Sequence, residues 1–149
     1  MGELTVRISE AGLSFTASNE GFFAVVSNDN GRPVIGHGHD VQPGETFPQP
    51  MTRLQAWQLL SEDFAIRYEP AVNSLVPDTC IQNQFDALCD FAYNEGVGAL
   101  ATLLGHGWDQ VTAQMPRWCY EHVNGVLTKS TGLLARREKE VAMFLKEDA

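Results

Sequence analysis

From residue 52 onward, apolar residues recur three and four positions apart. Leu54, Trp57, Leu60, Phe64 and Tyr68 form one stripe, and Ile81, Phe85, Leu88 and Phe91 form another. That period is helical. Thr52 with Gln55, and Thr79 with Gln82, have the spacing of capping boxes and predict where these helices start. Pro70 falls inside the first stripe and predicts a kink or break, because proline cannot donate the helical hydrogen bond. Asn94-Glu95-Gly96-Val97-Gly98 ends the second helix. Shorter helices are predicted over 98–104 and 109–122. A last helix, from about Gly132 to Lys146, is predicted to bury Leu134, Val141, Phe144 and Leu145.

The first fifty residues follow another pattern. Residues 9–19 predict a short helix that Ser9 caps, with Leu13, Thr16, Ala17 and Glu20 along one stripe and Gly21 as the stop. FFAVV and PVIG are β-like runs separated by the turn signal NDNG, which predicts a hairpin or three-stranded sheet. Pro43, Pro48 and Pro50 make the next stretch a loop. The expected fold is α+β and mostly helical, a single unit over 1–149. Its β lobe lies at about 22–50 and a connecting helix at about 52–75. The helical lobe lies at about 79–147 and takes in the N-terminal helix of about 9–20.

Composition narrows the function. A chain of 149 residues with 44% hydrophobic content can build a sizeable core. The net charge of −9 argues against nucleic acid as partner, since phosphate binding needs a basic face. It leaves room for an anionic substrate held by a local basic patch. No apolar run is long enough to span a membrane. MGELTVRISE lacks the pattern of a secretory signal, so synthesis in the cytoplasm is expected. Cys80, Cys89 and Cys119 are odd in number and form no C-x-x-C pair, which predicts reduced thiols.

The candidate chemistry gathers in residues 18 to 41. Two carboxylates flanking a sugar bond are the minimal kit for glycoside hydrolysis, one protonated and one ionised. Glu20 stands at a helix end, where the dipole is negative and tends to raise a carboxyl pKa. Asp29 stands in the following polar turn. His37 and His39, two apart, could share a strand face and ligate zinc with Asp40 or Asp29, but no further ligands show metal spacing.

Four ordered blocks then carry a resemblance over roughly Ile8 to Leu145. They are ISEAGLSFTASNEGFF, VIGHGHD, NQFDALCDFAYNEGVGAL and GLLARREKEVAMFL. The second resembles a T-I-G-x-G-H strand. The third resembles Q-F-D-A-L-x-x-F-x-[FY]-N-x-G, and the fourth G-L-x-x-R-R-x-x-E. Together they are similar to the phage-type lysozymes of glycoside hydrolase family 24. The resemblance implies a lysozyme-like fold. It also implies an endolysin activity, a muramidase that cleaves the β-1,4 bond between N-acetylmuramic acid and N-acetylglucosamine.

Carried over position by position, the resemblance makes Glu20 the general acid and Asp29 the second carboxylate. It makes Arg136 the partner of Glu20, and His39 with Asp63 a structural ion pair. Tyr93 and Asn94 fall on the cleft wall facing the glycan. No metal or other cofactor is implied. The implied partners are peptidoglycan strands and a holin-like membrane permeabiliser, for a monomer made in the bacterial cytoplasm. Two departures stand out. Val34 occupies the position of the family's catalytic threonine. The stretch after Glu20 is one residue short, so spacing from Gly31 selects Asn28 where spacing from Glu20 selects Asp29. These departures keep open a catalytically impaired module of the same fold that binds glycan or a partner.

Overall fold

The computed structural model describes residues 5–147. Ser9 caps helix α1 (Glu10–Glu20) by accepting from Gly12 N at 3.1 Å, and the helix stops at Gly21. The segment before it is tied to the helical lobe. Ile8 N and Arg7 Nε both donate to Glu69 at 2.8 Å, and Ser9 bonds Asp86. So α1 packs with the helices, and Glu20 lies where the chain leaves them for the sheet.

Strands β1 (Phe23–Asp29), β2 (Arg32–Gly36) and β3 (His39–Asp40) form an antiparallel sheet in that order. Asn30 and Gly31, at φ of 52° and 86°, make the two-residue turn that matches strand twist. Asn28 Oδ1 closes it by accepting from Gly31 N at 2.6 Å. Asp29 is left opposite Arg32 in the register. Ile35, Met51 and Ala56 form a small core under this sheet, with Phe22, Val41 and Phe47 around them.

The Thr52 capping box is complete. Thr52 Oγ1 accepts from Gln55 N at 3.1 Å, and Gln55 Oε1 accepts from Thr52 N at 2.8 Å. The long helix then runs as α2 (Arg53–Asp63), a π turn (Phe64–Tyr68) and α3 (Glu69–Leu75). The kink or break expected at Pro70 takes the form of a local change of helix type rather than an end. The turn before it widens, with Glu69 N donating to Phe64 O, and the proline is taken up in the first turn that follows. Leu54, placed on the buried stripe by spacing, is instead 66% exposed.

Helix α4 (Gln82–Glu95) begins later than the Thr79 pairing implies. Ile81 is its cap residue, and Gln84 Oε1 accepts from Ile81 N at 2.9 Å. Residues 85–92 are all buried, so α4 is the axis of the larger core, with α1, α3, α5 (Val97–Gly105) and α7 (Thr131–Leu145) against it. The helix expected over 109–122 is also corrected. Short turns that include α6 (Val111–Gln114) end at Arg117, and a hairpin follows, β4 (Tyr120–Val123) and β5 (Val126–Lys129). Asn124-Gly125 drives it, with both residues at positive φ. Leu145 faces out at 63% exposure, while Phe144 is buried. The three cysteines are free thiols, with Cys89 and Cys119 buried.

One polar cluster fastens the sheet to α2. His39, 5% exposed, bonds Asp63 through Nδ1 at 2.7 Å and Glu45 through Nε2 at 2.9 Å. The hydrogen bond to Asp63, against the cost of burial and with help from Glu45, raises the His39 pKa from 6.5 to about 8. Because the folded value is the higher one, the stabilisation is fully present below pH 6.5 and is lost as pH rises through about 8. A shift of this size corresponds to about 2 kcal/mol. Urea unfolding of the parent at pH 6 and pH 9 should show that loss. His39→Asn should be less stable at pH 6, by roughly 3 kcal/mol. It should also lose the dependence across this window; a variant as pH-sensitive as the parent would place the effect elsewhere.

Candidate active site

Glu20 is the last residue of α1, and its carboxylate sits at the floor of an open cleft between the sheet and the helical lobe. The walls include Arg32 and Asp40 from the sheet, Asp63, Arg67 and Tyr68 from the long helix, and Tyr93 and Asn94 from α4. The π turn supplies Arg67 and Tyr68.

Arg136 Nη1 donates to Glu20 Oε2 at 2.7 Å. The other edge of the same guanidinium donates to Asp90, Nε to Oδ2 and Nη2 to Oδ1, both at 2.9 Å. Asp90 is fully buried, and it also accepts from Thr16 Oγ1 at 2.8 Å. The neighbouring Arg137 is fully buried too. It reaches Glu95 at 2.7 Å, Asn94 Oδ1 at 2.7 Å and Glu140 at 2.9 Å. Two arginines from α7 thus hold the carboxylates of α1, α4 and α7 together.

Burial shapes the protonation of these acids. Desolvation raises the Glu20 pKa despite the opposing pull of Arg136, and the charges of Asp90 and Asp29 push the same way as burial. Burial alone would raise Asp90 as well, but hydrogen bonds from Glu140 and Arg136 bring it below the usual carboxylate range. Glu140 is pushed well above that range by burial and by its bond to Asp90. Arg137 opposes that push by gripping both Glu140 oxygens, Nε at 2.7 Å and Nη2 at 2.9 Å.

The remaining sequence candidates are placed as follows. Asp29 lies at the end of β1, half exposed, 3.3 Å from Arg32, which is itself 3.4 Å from Asp40. Its charge is close enough to act on Glu20. The Asn28 side chain is committed to the hairpin turn. Val34 is buried between Ser27 and Asp40 in the register and does not line the cleft. Tyr93 OH donates to His37 O at 2.7 Å, which ties α4 to the turn after β2. His37 stands in that turn rather than on a strand beside His39, so the two imidazoles do not share a strand face. His37 Nδ1 meets Gly21 O, and both nitrogens of His39 are taken by carboxylates. Among the described residues no group of three or more His, Cys, Asp or Glu is placed to hold a metal ion.

Sequence reasoning missed Asp90, Thr16, Arg32 and Arg67, and it held Arg137 and Glu140 only as letters of the R-R-x-x-E block, without a role. Asp90 carried a readable signal: a charge between Leu88 and Phe91 on an apolar stripe needs an internal partner.

Gly38 contributes by having no side chain. At φ of +84°, a Cβ there would lie 2.8 Å from Glu20 Oε1. Gly44 has almost the same backbone angle, +85°, with nothing within 4 Å. Gly38→Ala is expected to slow glycan cleavage at least about tenfold, since small misplacements of catalytic groups are costly. Gly44→Ala, which shares the strained φ but not the clash, should stay near the parent rate. Equal rates in the two variants would show that the contact with Glu20 is immaterial.

Comparison with known proteins follows the same line. The phage lysozyme family model matches residues 17–140. The chain is 30% identical over 148 residues to the endolysin of Acyrthosiphon pisum secondary endosymbiont phage 1, covering 93% of this chain and 98% of that one. It superposes on the endolysin from Escherichia coli O157:H7 phage FAHEc1 with a TM-score of 0.83 and 29% identity, over 97% of this chain and 96% of the other. The muramidase domain of SpmX from Asticaccaulis excentricus gives a TM-score of 0.78 and 30% identity, over 95% of this chain and 99% of that domain.

Proposed function

This chain belongs to the phage lysozyme family, and on that premise we propose that Glu20 and Asp29 carry out its glycan hydrolysis. The chain is a peptidoglycan hydrolase of the muramidase type, acting on the β-1,4 bond between N-acetylmuramic acid and N-acetylglucosamine. The observation that carries the assignment is Glu20 itself. It is fixed by Arg136 at the cleft floor, yet burial keeps its carboxyl able to hold a proton. Glu20 gives that proton to the glycosidic oxygen as the C1–O bond breaks. Asp29, half exposed on the hairpin, offsets the positive charge that develops at C1 or takes a proton from the incoming water. Water completes the new C1–OH group.

Arg32 and Arg67 on the cleft walls supply the local positive charge that an anionic wall polymer needs from a protein of net charge −9. Tyr93 and Asn94 present the surface for the sugar rings, and the bonds to His37 and Arg137 hold them there. Asp29 is preferred to Asn28 because an amide cannot take a proton from water and Asn28 is spent on the turn. The reading extends to a monomer made in the bacterial cytoplasm, which reaches the wall through lesions made by a separate holin-like protein. What supports it is the name endolysin that the relatives carry, which fits action on the wall.

The test is clearing of permeabilised Gram-negative cells, with and without a chelator. Glu20→Gln should lose about 10²–10⁴-fold or more in rate while its unfolding curve stays near that of the parent. Asp29→Asn should fall sharply, and Asn28→Ala should retain lysis with a looser hairpin. Parent-like clearing by Glu20→Gln would remove it as the acid. Near-normal clearing by Asp29→Asn would remove that residue from the reaction.

A further inference from the structure

An arginine touching a general acid works against it, because a positive charge favours the ionised carboxylate and so draws off the proton that the reaction needs. Here the arginine is not left alone. The guanidinium has one end on Glu20, and its remaining edge is closed by Asp90 through two bonds of 2.9 Å. Asp90 is fully buried and stands on α4, in the position that the Q-F-D-A-L-x-x-F pattern leaves open. Thr16 Oγ1 donates to it at 2.8 Å as well, so Arg136 and Thr16 both favour its charged form.

We propose that Asp90 is a positioning residue for the hydrolysis: it fixes the Arg136 fork and offsets its charge, so that Glu20 is oriented by a cation yet keeps its proton. The idea rests on Glu20 being the acid. Arg136 held in a bidentate grip cannot swing round to take both oxygens of Glu20, and the paired charges look nearly neutral from the cleft. Without Asp90 the same arginine would turn both its charge and its fork on Glu20. Seen from Glu20, the charged and titratable neighbours are Arg136 on α7, Asp90 and Tyr93 on α4, Asp29, Arg32 and Asp40 on the sheet, and Asp63, Arg67 and Tyr68 on the long helix. His39 also lines the cleft and titrates near pH 8, so the rate profile alone is ambiguous on its basic side.

The experiment combines carbon NMR titration of the Glu20 and Asp90 carboxyls with pH–rate profiles of wall clearing, for the parent, Asp90→Asn and Asp90→Asn/Arg136→Gln. In Asp90→Asn the Glu20 titration should move down by about one to three units. The basic limb of the rate profile should move down with it. The double variant should bring the Glu20 titration back up, because the unbalanced cation is gone. A purely structural role for Asp90 would lower activity and stability with no shift in either titration. Glu20 titrating in Asp90→Asn as in the parent would overturn the proposal. If the Glu20 titration moves and the limb does not, the coupling stands and it is the acid assignment that fails. Should Asp90→Asn not fold, the parent decides alone. Asp90 must remain ionised through the range where Glu20 takes up its proton, and an Asp90 that protonates first sinks the idea.

Discussion

The Arg136 guanidinium is the point at which three helices of the larger lobe meet the cleft. Its three bonds run to α1 and α4, and every one is charge-assisted and largely shielded from water. Removing a charge from such a place is costly, because the partners are left buried and unpaired. The rest of the helical lobe serves this constraint. α4 is buried along most of its length, so it can offer Asp90 at full depth. α1 ends where Glu20 reaches the same guanidinium from the cleft side, and Ser9 and Asp86 fix the far end of α1 on α4.

The two carboxylates assigned to the reaction have opposite surroundings. Glu20 is largely buried and tied to a web of helices. Asp29 is half exposed near the tip of a hairpin, held by one long contact to Arg32. Burial suits the group that must keep a proton, and solvent suits the group that must lose one. The sheet that carries Asp29 is anchored separately, by the His39 cluster and by Tyr93, so its position follows from contacts distinct from those that hold Glu20.

Much of the fold was legible because its signals are local. Ser9, Thr52 and Gly21 mark helix ends by their own chemistry, and NDNG marks a turn. Where a local rule met tertiary packing, it gave way. Pro70 is absorbed by a wide turn that no proline rule foresees, and the Thr79 pairing yields to a start at Gln82. The Asn124-Gly125 hairpin was available from its turn signal, but its strands, YEHV and VLTK, lack the apolar alternation that would have supported it. Of the site, Glu20 and Arg136 came from motif blocks, and His39 with Asp63 from the same resemblance. Asp90 stayed hidden because an acid on a helix reads as solvated unless its neighbours show that the whole face is covered, and Glu140 showed only as the last letter of a block.

Glu20 and its arginine are 116 residues apart in the chain. A ribosome therefore delivers Glu20 well before the side chain that holds it, which stands on α7. Until α7 docks, Glu20 lacks the charged partner that holds it. A chain that stops short of α7 therefore carries Glu20 without the guanidinium that fixes it.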